Sequence, residues 1–228
     1  AYSVCTPQRR AAAPTQPMVA NMLGMQGIPC TKVEGACASA GIAFRHGLLL
    51  VATGQCDFVL VAGVEKMTEA TTEEVTEALA TAGDMASEMR SGLTFPGAFG
   101  IIMRRHMHEH GTTRAQIGMV SVKNRANSVP NPKSQLREAV TLEKVLASRL
   151  VCDPIRLFDC CPISDGAAAA VLCPAEMAAD FSRRPVDVGG SGHAMGPGTL
   201  YQMRDLTTFD ATVTAGRQAY AQAGLGPG

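Results

Sequence analysis

In the run Phe58-Val59-Leu60-Val61-Ala62 every position is apolar and several are branched, the pattern of a strand covered on both faces rather than one alternating between core and water. It follows a long small-residue and apolar segment over 37–53, which reads as a buried helix stopped by Gly54. A strand-like piece at 31–34 leads into that helix through Gly35. The unit is β-α-β, which predicts an α/β fold with parallel pairing. From 65 to 149 the pattern turns polar and helix-forming, with helices expected near 72–82, 96–110, 113–127 and 141–148. Pro130, Asn131 and Pro132 break it with a loop. Strand character returns at 167–173 and again at 185–190, where the chain runs into a glycine turn. Beyond these, Leu206, Phe209, Val213, Gly216, Tyr220 and Ala223 recur at steps of three and four, one face of a helix ended by Gly224.

Composition narrows the function classes. The 228 residues carry 20 basic and 20 acidic side chains, with 46% hydrophobic and 18% charged positions, so a disordered tail and a polybasic nucleic-acid binder are both excluded. No apolar stretch approaches the roughly 20 residues needed to span a bilayer. Eight cysteines in a chain this long do not imply a disulfide scaffold, and a reducing, cytoplasmic setting is expected. Residues 1–7 contain neither an initiator Met nor a signal-peptide pattern, and the sequence stops just past a helix, so it is expected to begin and end mid-protein.

Cys37 is the first candidate for chemistry. It stands where strand turns into helix, between Gly35-Ala36 and Ala38-Ser39-Ala40-Gly41, and small neighbours leave its sulfur approachable. A helix N-terminus offers unpaired N–H groups and a partial positive charge, which favour thiolate over thiol. The other reading is an ordinary buried small hydrophobe, as most free cysteines are. His106, His108 and His110 alternate, but on a helix His106 and His110 share a face that His108 does not, and no Cys or Asp stands at ligand spacing; a solvated, Arg-flanked face is expected rather than a metal site. Walker, dinucleotide and His-Glu-x-x-His motifs are all absent from the sequence.

The stretch Val33-Glu34-Gly35-Ala36-Cys37-Ala38-Ser39-Ala40-Gly41 resembles the nucleophile elbow of the thiolase superfamily. Ala62-Gly63-Val64-Glu65-Lys66-Met67-Thr68 and Phe158-Asp159-Cys160-Cys161-Pro162-Ile163-Ser164-Asp165-Gly166-Ala167-Ala168 resemble two further blocks of that family, in the same order. Thr94-Phe95-Pro96-Gly97, His108-Glu109, Gly111-Thr112-Thr113, Asn131-Pro132-Lys133 and Asp153-Pro154 are most similar to the sterol carrier protein X type within it. The resemblance runs from about Asn21 to Leu225. Two departures stand out: Ala40 occupies a place where glycine is usual, and the His and second Cys motifs of the family's C-terminal part do not occur. His193 superficially resembles the catalytic Gly-His-Pro turn but precedes the last helix, whereas the family's turn follows it, so it is read as non-catalytic. The chain is thus expected to be a middle segment of a longer enzyme.

What the resemblance implies is specific. The fold would be part of the thiolase-like layered α-β-α-β-α architecture, with a mixed sheet and a mainly helical insertion. Residues 1–68 and 151–180 would form the N-terminal half, 69–150 an insertion over the coenzyme A site, and 181–228 the start of the C-terminal half. Cys37 would be the nucleophile of an acyltransferase acting on acyl-CoA or 3-oxoacyl-CoA thioesters, with coenzyme A as substrate and no permanently bound cofactor or metal. Cys161, where degradative relatives carry a serine near the pantetheine arm, and Met67 would line the substrate path. Lys123 and Arg125 would meet nucleotide phosphates, the plainer reading of each being a solvated helix surface. Arg104, Arg105 and Lys133 belong to the same basic group of the insertion. A homodimer or higher oligomer is implied, with Ala36, Ala38, Ala40 and Gly41 near its seam, and a small zinc-ribbon and oligonucleotide-fold accessory protein is an expected partner. The alternatives are a noncatalytic, partner-dependent thiolase-like subunit and an aldolase-type relative.

Overall fold

The computed structural model describes residues 15–227; residues 1–7, read as free of a signal-peptide pattern, lie outside the described residues, as does the start of the expected N-terminal half. The elements are α1 (Thr15–Met22), α2 (Ser39–Ala52), β1 (Val59–Glu65), α3 (Thr72–Ala80), α4 (Phe95–His110), α5 (Arg114–Ser128), α6 (Leu142–Ala147), β2 (Leu150–Cys152), β3 (Ile155–Arg156), β4 (Gly166–Leu172), α7 (Ala175–Phe181) and α8 (Asp210–Ala223). The described residues divide into two compact units, the first made of 15–78, 165–195 and 210–227, the second of 79–164 and 196–209.

In the first unit β1 and β4 pair antiparallel, from Val59 opposite Leu172 to Glu65 opposite Gly166. Val59, Val61, Gly63 and Glu65 therefore share a face with Leu172, Ala170, Ala168 and Gly166. The first turns of α2 bury Ser39 and Ala43. Its Gly47 sits so close to the sheet that a Cβ there would lie 2.8 Å from Val61 Cγ2 and 3.1 Å from Val59 Cγ1. A side chain at that position would push the helix off the strand, so glycine sets the depth of this contact.

The α/β character read from the pattern holds, but two strands do not form. Residues 31–34 pair with no strand, so the expected parallel β-α-β unit is absent among the described residues and β1 takes the distant β4 as its partner. Nor is β1 sheathed on both sides, since Leu60 is exposed on the face away from α2. Residues 185–190 are likewise not a strand. Just beyond, the N–H groups of Ser191 and His193 donate to Gln222 Oε1 (2.9 Å) and Gln218 Oε1 (3.0 Å) of α8 instead of to a neighbouring strand. Gly190 and Gly192 allow this approach, because a Cβ on either would overlap the carbonyl of Ala219 or Ala215.

The second unit is mainly helical, as the polar, helix-forming pattern predicts. Thr94, Thr113 and Thr141 cap α4, α5 and α6 through their hydroxyls, Thr113 in a reciprocal capping box with Gln116. Gly111, at φ 66°, ends α4 in the left-handed conformation. Val145 of α6 is wholly buried, and Ala98, Val140 and Ile155 are buried with it in this unit.

Candidate active site around Cys37

Residues 36–38 form one turn of 3₁₀ helix that passes directly into α2, and Cys37 lies exposed on that turn. Ala36 carries φ 49°, the only positive φ outside glycine among the described residues. An L-residue in that region costs on the order of 1–2 kcal/mol, so the elbow needs bonds that hold it there. Glu34 and Ser39 supply them. Glu34 Oε1 accepts the N–H of Gly35 (3.1 Å) and of Ala36 (2.7 Å) and faces Ser39 Oγ at 3.2 Å. Ser39 is completely buried; its Oγ accepts from Gly35 N at 2.9 Å and donates to the Ala36 carbonyl at 2.7 Å.

Beside this turn opens a cavity of about 560 Å³, within the range that holds small-molecule ligands. Ala36, Cys37, Ala40 and Phe44 line one side; Val61, Gly63, Val64 and Glu65 of β1 and residues 166–170 of β4 line the other. Apart from Cys37 and Glu65 the lining does not titrate, and four of its residues are consecutive alanines, so the walls are apolar and shallow. Ala40 is accommodated here because Gly63 opposite has no side chain: a Cβ at Gly63 would stand only 3.3 Å from the Ala40 methyl.

A second carboxylate fixes the far end of the β1–β4 ladder. Asp165 accepts from Lys66 Nζ (3.0 Å), Met67 N (2.8 Å), Thr68 N (2.9 Å) and Thr68 Oγ1 (2.7 Å). The Thr68 hydroxyl first, with the two backbone N–H groups and Lys66, holds the Asp165 carboxyl well below the usual carboxylate range. Lys66 is raised in return, mainly by its bond to Asp165. Met67 is tied into this clamp by its backbone and does not line the cavity.

Cys161, Lys123 and Arg125 belong to the second compact unit. There Arg125 and Lys144 stand over the Phe158 ring, 5.4 and 5.9 Å from its centre, and Ser121 Oγ donates to the Phe158 carbonyl at 2.7 Å. Asp159, nearly buried, pairs with Arg114 at 3.0 Å and accepts from Arg156 N at 2.7 Å. Cys161 is exposed, whereas burial, then the Asp159 charge, push the Cys160 thiol up. His106 and His110 share a face as expected, with ring centres 4.6 Å apart, and each bonds a threonine: His106 with Thr112 at 2.8 Å and His110 with Thr207 at 3.2 Å. Sequence reading passed over Glu34, whose only signal is its place five residues before a serine in the elbow.

Residues 4–176 match the family model described as the thiolase N-terminal domain. An acetyl-CoA acetyltransferase from Methanothermobacter thermautotrophicus is 49% identical over 211 residues, covering 92% of this chain and 55% of that protein. Sterol carrier protein 2 from Bos taurus is 29% identical over 93% of this chain and 41% of its own length. Among solved structures, the Ltp2-ChsH2(DUF35) aldolase superposes with a TM-score of 0.81 at 28% identity, covering 95% of this chain and 58% of that one. The chain spans about half the length of the curated acetyltransferases it matches. With an elbow cysteine, an Asp-Gly-Ala strand and a matched domain over most of its residues, the chain belongs to the thiolase family.

Proposed function

We propose that the protein is a thiolase-type acyltransferase for acyl-CoA or 3-oxoacyl-CoA thioesters, with Cys37 as its nucleophile. The observation that carries this reading is the exposed Cys37 sulfur on a strained turn at the wall of an apolar cavity. The thiolate attacks the acyl carbonyl, the C–S bond to coenzyme A breaks, and an acyl-cysteine forms. For a 3-oxoacyl-CoA the attack falls on the 3-keto carbon and the bond between carbons 2 and 3 breaks, the leaving enolate taking up a proton as acetyl-CoA. Coenzyme A thiolate, or in the reverse sense a carbanion, then takes the acyl group and returns Cys37. Of the N–H groups at 35–39, that of Gly35 is shared between Ser39 Oγ and Glu34, that of Ala36 goes to Glu34, that of Ala38 to the Gly35 carbonyl and that of Ser39 to the Ala36 carbonyl. Among the described residues, the Cys37 N–H is the donor left for a developing oxyanion.

The rest of the reading follows the family. Coenzyme A is a substrate, Cys161 borders its path, and Lys123 and Arg125 meet its phosphates. The chain works in the cytoplasm as a homodimer, with residues 1–68 and 151–180 as one half, 69–150 as the insertion and 181–228 opening the other half. The acetyltransferase relatives support this class of chemistry. A second reading is favoured by one observation, the likeness to an aldolase that is named together with a DUF35 protein. In that case the same cavity holds an aldol adduct and an accessory protein completes the site. Intact mass spectrometry of the full-length protein after mixing with acetyl-CoA separates the two: a gain of one acetyl group, lost in Cys37→Ala, supports the acyltransferase. No adduct, with release of an aldehyde or ketone from a 3-hydroxyacyl-CoA, supports the aldolase.

A further inference from the structure

We infer that Glu34 is a positioning residue for Cys37, its carboxylate holding the elbow in the one conformation that presents the sulfur to the cavity while leaving the Cys37 N–H unclaimed. The inference rests on the reading of Cys37 as nucleophile and assigns a role to a neighbour that this reading does not use.

Glu34 is exposed, so nothing about core packing requires its side chain to fold back onto its own backbone. It nevertheless accepts two successive N–H groups, of Gly35 and Ala36, with one oxygen. Ala36 is the residue with the positive φ, so the carboxylate anchors the peptide immediately before the strained position. Ser39 completes the frame from below. Its hydroxyl has one proton, given to the Ala36 carbonyl and shared toward Glu34, and its lone pair receives the Gly35 N–H. Because Ser39 is wholly buried, a broken partner there would leave an unsatisfied polar group in the core, so the frame is stiff. The carboxylate thus takes the Ala36 N–H and shares that of Gly35 with Ser39, and among the described residues the donor at residue 37 stays open. Its charge also offsets the partial positive end of the turn, which by itself works against a thiolate. What the elbow needs from Glu34 is therefore its acceptor oxygen and not its negative charge, and that distinction is testable. Among the described residues that line the cavity, the charged one is Glu65 of β1, on the wall opposite Cys37.

The experiment compares full-length wild type, Glu34→Gln and Glu34→Ala in single-turnover acetylation by acetyl-CoA, with circular dichroism as the check on folding. Glutamine keeps an acceptor at the same reach; alanine removes it. E34A is expected to slow acetylation of Cys37 at saturating acetyl-CoA by about 100-fold, the order of loss from misplacing a reacting group by an ångström, with the half-saturating concentration within about twofold. E34Q is expected to restore the rate to within about threefold of wild type. If E34A does not fold, Glu34→Met, which fills the same space without an acceptor, takes its place. A folded E34A or E34M that acetylates at the wild-type rate, or whose loss lies only in half-saturation, overturns the inference. Alkylation of Cys37 by iodoacetamide reads the same elbow without a thioester: the alanine variant should differ from wild type by more than about threefold and the glutamine variant should not. Absence of acetylation in wild type, with that alkylation difference intact, would count against the acyltransferase and leave the role of Glu34 standing; equal alkylation in all three would remove it.

Discussion

Cys37 and Cys160 each lie at a single turn of 3₁₀ helix, but one within it and the other just past its carbonyl end. Cys37 is the middle residue of the turn 36–38, which runs into the N-terminus of α2; it is exposed, with apolar cavity walls beside it. Cys160 caps the carbonyl end of the turn 157–159, half-buried, next to the Asp159 carboxylate that Arg114 and the Arg156 N–H hold in place. Negative charge developing at the first meets an open N–H; at the second it meets carbonyl oxygens, burial and a fixed anion. The two cysteines thus differ in exposure, in their place in the turn and in the charge beside them, and neighbouring Cys161 is exposed like Cys37 but lies beyond the carbonyl end of its turn.

The largest break in that comparison comes from deleting the sulfurs. Cys37→Ala is expected to lower the acyl-transfer rate of the full-length protein by at least about 10³-fold, whereas Cys160→Ala and Cys161→Ala stay within about threefold, measured as thiolysis of a 3-oxoacyl-CoA. Next in size is labelling at pH 7: Cys37 should react with iodoacetamide at least about tenfold faster than Cys160, whose thiol burial and Asp159 push up, read peptide by peptide. Gly47→Val then tests whether α2 carries the elbow. Crowding Val59, Val61 and Leu172 should destabilise by about 1–3 kcal/mol in denaturant melts, and should slow labelling of Cys37 while leaving Cys160 unchanged.

The smallest expected effect is at Asp165. Its folded-state carboxyl is depressed, so its contribution is present above the unfolded carboxylate pKa of about 3.9 and is lost as pH falls through the lower folded value. Asp165→Asn should therefore lower the melting temperature at pH 7, and the gap from wild type should narrow as pH drops below about 4. A gap that is constant down to pH 2 would mean that the Lys66–Thr68 loop is held by something else. The matching contribution from Lys66, whose pKa is raised, runs the other way: it is complete below about 10.4 and lost as pH rises through the folded value.

Much of this was legible in the amino-acid pattern, for physical reasons that also explain the failures. The helices of the second unit carry local signals, three- and four-residue spacing and a stop such as Gly111, and they formed within a residue or two of where the pattern put them. The strands 58–62 and 167–173 were equally visible as β1 and β4, but their pairing across about a hundred residues is non-local, and nothing in an apolar run distinguishes a parallel from an antiparallel partner. The pieces at 31–34 and 185–190 had strand composition and no strand to bond. At 189–192 the glycines that looked like a turn let the backbone lie on α8. At the elbow, Cys37 was visible as a cysteine among small residues at the start of a helix. Glu34 was not, because a carboxylate folding back onto its own backbone leaves no periodic trace.

One measurement bears most directly on the account: wild-type full-length protein is mixed with acetyl-CoA, quenched, digested, and the acetyl group located among all eight cysteines by mass spectrometry. The adduct is expected on the peptide containing Cys37, with coenzyme A removing it again. An adduct confined to the peptide containing Cys160 and Cys161, with Cys37 unmodified, would contradict it.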